Sequence, residues 1–189
     1  MNTEREDRSR ISGERGVALV EFALIFPIFM TIVLGMFSGG QSYNRKVSIT
    51  NATGEASRYG ATLAPTTFTA PFAYGTHGLD DWLRAVAGAV EQNADGDLAL
   101  GVAGRSICVA YVHPNGTTLN DKTHKFVRTT SQAGTSSELP GDECFSDGRP
   151  PTERRVQILV RRSSPLEALF VKFPVTLTSR SVTRFEATS

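Results

Sequence analysis

An acid inside an apolar segment is the first group in this chain whose position demands a chemical reason. The stretch RGVALVEFALIFPIFM, residues 15–30, places Glu21 five residues after Gly16 and directly before Phe22. A charged side chain at mid-bilayer costs about 2.5–3.5 kcal/mol, and less toward an edge, so an acid kept there points to a specific partner of opposite charge. Cys108 and Cys144 form the second candidate set. Outside the cytoplasm two such cysteines form a disulfide. With His113 and His124 they can also be written as a Cys2His2 metal set, although no Cys-x2-Cys or His-x3-His clip supports it. No G-x-S-x-G elbow surrounds a serine, the GVAG at 101–104 is too poor for a phosphate loop, and no histidine is placed as a base. No catalytic set emerges, and no cofactor is implied.

The element that must position Glu21 is the apolar run 17–37, which carries that single charge in 21 residues. At about 1.5 Å per helical residue its length matches a hydrocarbon core of about 30 Å. A cleaved secretory signal is the competing reading, with Ser38 and Gly40 before a mature start at Gln41, but signal apolar regions run only about 7–15 residues. Pro27 costs one intrahelical hydrogen bond and is tolerated in a membrane helix as a kink. Arg5, Arg8, Arg10 and Arg15 precede the run, and Arg45, Lys46 and Arg58 follow it, which favours a cytoplasmic N-terminus.

Residues 1–16 are polar, with four acids and four bases, and read as a disordered leader. Beyond Gly39-Gly40 the chain can stay helical as a stalk, with Tyr43, Val47, Thr50, Gly54 and Ser57 recurring at steps of three and four. The small residues Ala52, Gly54, Ala56 and Gly60 dominate one side and would let another backbone approach closely. Pro65 ends this element. In LDDWLRAVAGAVEQ, Leu79, Trp82, Leu83, Val86 and Val90 share one face of an amphipathic helix, best explained as core packing.

The period then changes to two. RSICVAYVH (105–113), KFVRTT and RRVQILVRR read as strands, as does the segment from 175 to 186. In the third of these, Val156, Ile158 and Val160 alternate with Arg155, Gln157, Leu159 and Arg161. A Ser/Gly/Pro/Asp-rich loop at 131–151 holds Cys144. SSPLEALFVKFP (163–174) reads as a turn or single helical turn that dips toward the membrane surface through Leu166, Leu169, Phe170 and Phe173. The formal net charge of +1 gives no field for nucleic acid. Seven bases against two acids from residue 154 onward read as a solvated strand face.

The order Gly16, apolar segment from Val17, Glu21 at its fifth position and an aromatic after it resembles the processing signal of type IV pilin-like proteins. The wider stretch GVALVEFALIFPIFMTIVLGMF, with NRKVSITNATGEASRYGA after it and PLEALFVKFPVTLTSRSVTRFE near the end, is similar to the TadE-like pseudopilins of the tight-adherence (Tad, or Flp) pilus system. One departure is Phe22, where the Flp-type signal usually has Tyr. The resemblance implies cleavage by a prepilin peptidase between Gly16 and Val17, an assembly role for Glu21 and Phe22, and a minor, initiating or tip subunit rather than an enzyme. It implies as partners the peptidase, other pilins or pseudopilins, the inner-membrane assembly platform and lipid.

The expected organisation is a leader (1–16), a transmembrane helix (17–37), a helical stalk (38–64) and an extracytoplasmic domain (65–189). The expected fold is α+β: a long N-terminal helix, a short second helix and an antiparallel sheet of three or four strands. An uncleaved single-pass anchor acting as a scaffold in an envelope or pilus complex is the alternative. A tethered extracytoplasmic enzyme is a third, for which no residue is nominated.

Overall fold

The computed structural model describes residues 3–62, 79–112, 123–130, 135–138, 143–150, 153–168 and 171–185. Its α+β architecture is the expected one. Helix α1 runs unbroken through Thr3–Thr62 and α2 through Leu79–Gln92. Strands β1 (Arg105–Val112), β2 (His124–Thr129), β3 (Thr135–Glu138), β4 (Arg155–Ser163) and β7 (Thr176–Arg184) make one antiparallel sheet in the order β3-β2-β1-β4-β7. Strands β5 (Leu166–Ala168) and β6 (Val171–Phe173) form a separate hairpin. The short strand β3 lies where the sequence suggested only loop, and the hairpin replaces the expected turn or helical turn.

The chain divides into two compact units, residues 1–42 with 165–173 and residues 43–164 with 174–189. In the first, α1 begins at Thr3, so the leader is helical rather than disordered. No proline interrupts the chain before Pro27, and a helix already nucleated by the apolar run extends into a polar flank at little cost. Pro27 lies inside the helix, and the Thr31 hydroxyl donates to the Pro27 carbonyl at 2.7 Å. The side chains of the apolar run are exposed except for partial cover at Met30 and Thr31.

The second unit is a two-layer sandwich. The register opposes Ile107 to Val160, Val109 to Ile158 and Tyr111 to Val156 on one sheet face, and Phe126 joins them opposite Val109. That face packs on α2 through Leu83, Val86 and Val90 and on α1 through Ile49, Ala52 and Ala56. Two acids in the first turn of α2, Asp80 and Asp81, suit the positive end of the helix dipole.

Of the stripe Tyr43, Val47, Thr50, Gly54 and Ser57, α1 fully buries only Ser57. Tyr43, Val47 and Thr50 are exposed, Tyr43 by 70%. The helix instead turns inward its small residues, Ile49 being the one large exception, because close approach gains more contact than one bulky aromatic. At Gly60 an added Cβ would lie 3.1 Å from Val86, 3.2 Å from Trp82 and 3.5 Å from Val156. Gly54 lies off this face, with open space beside it.

Candidate functional site

Gly16, Val17, Glu21 and Phe22 all lie on the one continuous helix, and all four are exposed. Helical geometry puts Val17 and Glu21 on the same side, one turn apart. Phe22 stacks on Phe26, one turn further on, with ring centroids 5.3 Å apart. A Cβ added at Gly16, Gly35, Gly39 or Gly40 would meet nothing within 4 Å. The segment therefore presents an acid, an aromatic pair and three small-residue notches to whatever surrounds it, and it is long and apolar enough to cross a membrane.

Cys108 and Cys144 are joined in a disulfide with Cα atoms 5.9 Å apart. Both sulfurs are thereby consumed, so the Cys2His2 alternative loses its thiolates; His124 is buried in β2 and His113 lies outside the described residues. The bond ties β1 to the segment 143–150, which covers the second face of the sheet. The expected solvated face holds at Arg154, Arg161, Lys172, Arg180 and Arg184, which are exposed, and is corrected at Arg155. Arg155 is 1% exposed and Gln157 0%, because the segment lays two acids across them.

Arg155 pairs with Asp147 at 2.7 Å and with Glu143 at 3.0 Å, and it donates to the Pro150 and Glu153 carbonyls. The Gln157 amide donates to both acids, at 2.9 Å to Asp147 and 3.2 Å to Glu143. Burial pushes the Asp147 carboxyl up, but the backbone N–H of Arg149, the Gln157 amide and Arg155 outweigh it and hold the group below its ordinary value. Arg180 of β7 lies over the Phe145 ring, 5.3 Å from its centroid.

A second ionic cluster closes the helix-facing side. Glu91 of α2 receives Arg105 and Arg128, each at 2.7 Å, and Arg105 also donates to the Leu98 carbonyl. Asp97 pairs with Arg162, and with Arg45 of α1 at 3.8 Å. Ser57 of α1 joins β7 through Ser181 at 2.7 Å and Thr183 at 2.8 Å. Each buried cation here has acids or carbonyls as partners, the arrangement of a structural network. These partnerships were invisible in the sequence, apart from the hint that arginines alternate with valines in β4.

No curated protein and no solved structure matches the chain. Residues 16–58, which hold the glycine, the acid and the packed positions Ile49, Ala52 and Ala56 of α1, match the model of the TadE-like protein family, so this part of the chain is similar to TadE-like proteins.

Proposed function

We propose that this chain is a minor pilin or pseudopilin of a Tad (Flp-type) pilus, cut between Gly16 and Val17 by a prepilin peptidase and acting by helix packing in assembly, initiation or tip formation. The observation that carries the reading is Glu21, an exposed acid one turn inside an apolar helix whose matching segment begins at Gly16. In this reading residues 1–16 are cytoplasmic and the sheet unit lies on the opposite side of the inner membrane.

Cleavage would create an α-amine on Val17, a group that is ordinarily largely positive at neutral pH. Among apolar helices such a charge needs a partner. Glu21 of a neighbouring subunit supplies it and sets the axial register of the stack, and each subunit's own amine serves the next. Gly35, Gly39 and Gly40 offer close approach for the adjoining helices. The function so described requires no catalytic residue.

The test is the N-terminal residue of protein recovered from membranes of cells carrying the native peptidase, by intact mass and peptide sequencing, with Gly16→Leu alongside. A start at Val17 that disappears in Gly16→Leu is expected. An intact Met1, or a start at Gln41, would sink the proposal in favour of the uncleaved scaffold or a secreted domain. Glu21→Leu then separates assembly from scaffolding: the pilin-like subunit loses incorporation into the assembled complex while its membrane level is kept, whereas a scaffold retains its complex.

A further inference from the structure

The connection between β4 and β7 carries an excursion that the sheet does not need. The two strands pair up to Ser163 opposite Thr176, and the Ser164 N–H donates to the Val175 carbonyl at 2.8 Å, which closes the neck. Pro165 and Pro174 then bracket the hairpin β5–β6. Prolines at both sides of the neck withhold backbone donors and prevent the main sheet from extending into the excursion.

The hairpin sequence LEALFVKF holds six apolar residues in eight. Its register opposes Leu166 to Phe173, Glu167 to Lys172 and Ala168 to Val171. Strand alternation therefore puts positions 166, 168, 171 and 173, all apolar types, on one face, and the two charged positions on the other. Phe173 is 55% exposed. A soluble domain seldom projects so apolar a finger into water without something to cover it.

The covering medium is indicated by the unit to which the hairpin belongs. It groups with residues 1–42, the apolar helix, and not with the sheet. Within that helix the partly covered positions are Met30, Thr31, Ser38 and Gly39, with Thr31 and Ser38 two turns apart on one side. Among the described residues the hairpin is the other part of this unit. Thr31 precedes the end of the apolar run at Phe37 by six residues, about 9 Å of helix. Interfacial elements bury their apolar faces by about 5–10 Å, which is the same depth.

We propose that the β5–β6 hairpin is a second membrane contact, a finger that enters the bilayer interface at the level of the last two turns of the apolar run, which ends at Phe37. This rests on α1 being the membrane span. Leu166 and Phe173 enter the acyl boundary, and Lys172 stands at headgroup level, where a long basic side chain keeps its charge wet. The finger adds a second anchor point at the level where α1 leaves the bilayer.

The test uses the full chain, reconstituted in phosphatidylcholine/phosphatidylglycerol vesicles and labelled with the environment-sensitive fluorophore NBD on Phe173→Cys; both native cysteines are held in the disulfide. Ile28→Cys, at the middle of the apolar run, reports the span and Leu100→Cys, at a site 66% exposed in the sheet unit, reports water. Label at 173 is expected to emit to the blue of label at 100, and to lose most of its intensity with lipids doxyl-labelled near the headgroup. Label at 28 should instead respond to lipids labelled deep in the chain. Emission at 173 equal to that at 100, with 28 still quenched, would overturn the proposal while leaving the span intact. Water-like emission at both 28 and 173 would overturn the span reading itself. A blue shift at 173 that lipid labels do not quench and that fades as protein is diluted in lipid would assign the finger to a second copy, and so overturn it too. Unchanged Trp82 emission verifies folding, and Lys172→Cys repeats the measurement one residue away.

Discussion

Opening the Cys108–Cys144 bond should destabilise the sheet unit strongly, and it should change what Arg155 is worth. The sequence separation of 36 corresponds to a loop-closure entropy of about 13 cal/mol/K, or about 4 kcal/mol at 25 °C, in the chain-entropy account. With a urea slope of about 2 kcal/mol/M, that is a midpoint lower by about 2 M. In the oxidised protein the segment 143–150 is held against β4, so Arg155→Leu strands Asp147 and Glu143 without their cation, a loss of about 3–5 kcal/mol. In the reduced protein the same segment can lift and hydrate its acids. The cost of Arg155→Leu should then fall by at least about 1 kcal/mol, a coupling far above the error for independent sites. The assay is urea unfolding of the full chain in detergent micelles, followed by emission of Trp82. This is the chain's single tryptophan, 4% exposed and packed on Tyr111 and Phe185. Strict additivity of the two changes, or a midpoint shift under about 0.5 M with both thiols verified as free, would refute the reasoning.

Two glycines separate backbone strain from crowding. Gly96 and Gly104 both have positive φ, +79° and +66°, but only Gly104 would place a Cβ within 2.6 Å of the Ser163 Cβ. Gly96→Ala should cost about 1 kcal/mol and Gly104→Ala about 2–4 kcal/mol by the same urea assay, since the second adds a clash at the β1–β4 end; equal costs would show that β4 gives way freely. Acid should weaken the sheet unit through two carboxyls whose folded pKa is depressed. A hydrogen bond from Arg184, outweighing what desolvation there is and helped by Arg149, pulls Glu153 from 4.5 to about 2, and Asp147 lies below 3.8. Their stabilisation is full above the ordinary values and is lost as pH falls through the folded ones, so the midpoint should decline from about pH 5 toward pH 2. Glu153→Gln should flatten the lower part of that decline, and an unchanged profile would remove Glu153 from the account.

Much of this fold was legible because its signals are local. The face Leu79, Trp82, Leu83, Val86, Val90 is read at helical period and buries as a unit, and the alternation of Val156, Ile158 and Val160 identifies the inner face of β4. The Gly16 and Glu21 spacing is equally local, but its meaning comes from the resemblance to pilin-like processing signals and not from helix geometry. The second face of β4 could not be read this way. Arg155 and Gln157 look solvated beside their neighbours, and they are buried only because Glu143 and Asp147 arrive from a segment of no regular period, tied down by a disulfide to β1.

The sequence by itself determined the apolar helix with its acid, because an unbroken apolar run needs only sufficient length, and the amphipathic α2 and the strand faces, because each rests on a repeat of 3.6 or two residues within one segment. Tertiary structure decided between the two sides that the sequence offered for α1, since Ala52, Ala56 and Gly60 pack closely against α2 and β4 while Tyr43 and Val47 stay exposed. It also decided that the 165–173 stretch leaves the sheet and groups, as a hairpin, with the apolar helix. Two prolines and one closing hydrogen bond make that departure possible, and the grouping with α1 depends on contacts between residues more than a hundred positions apart.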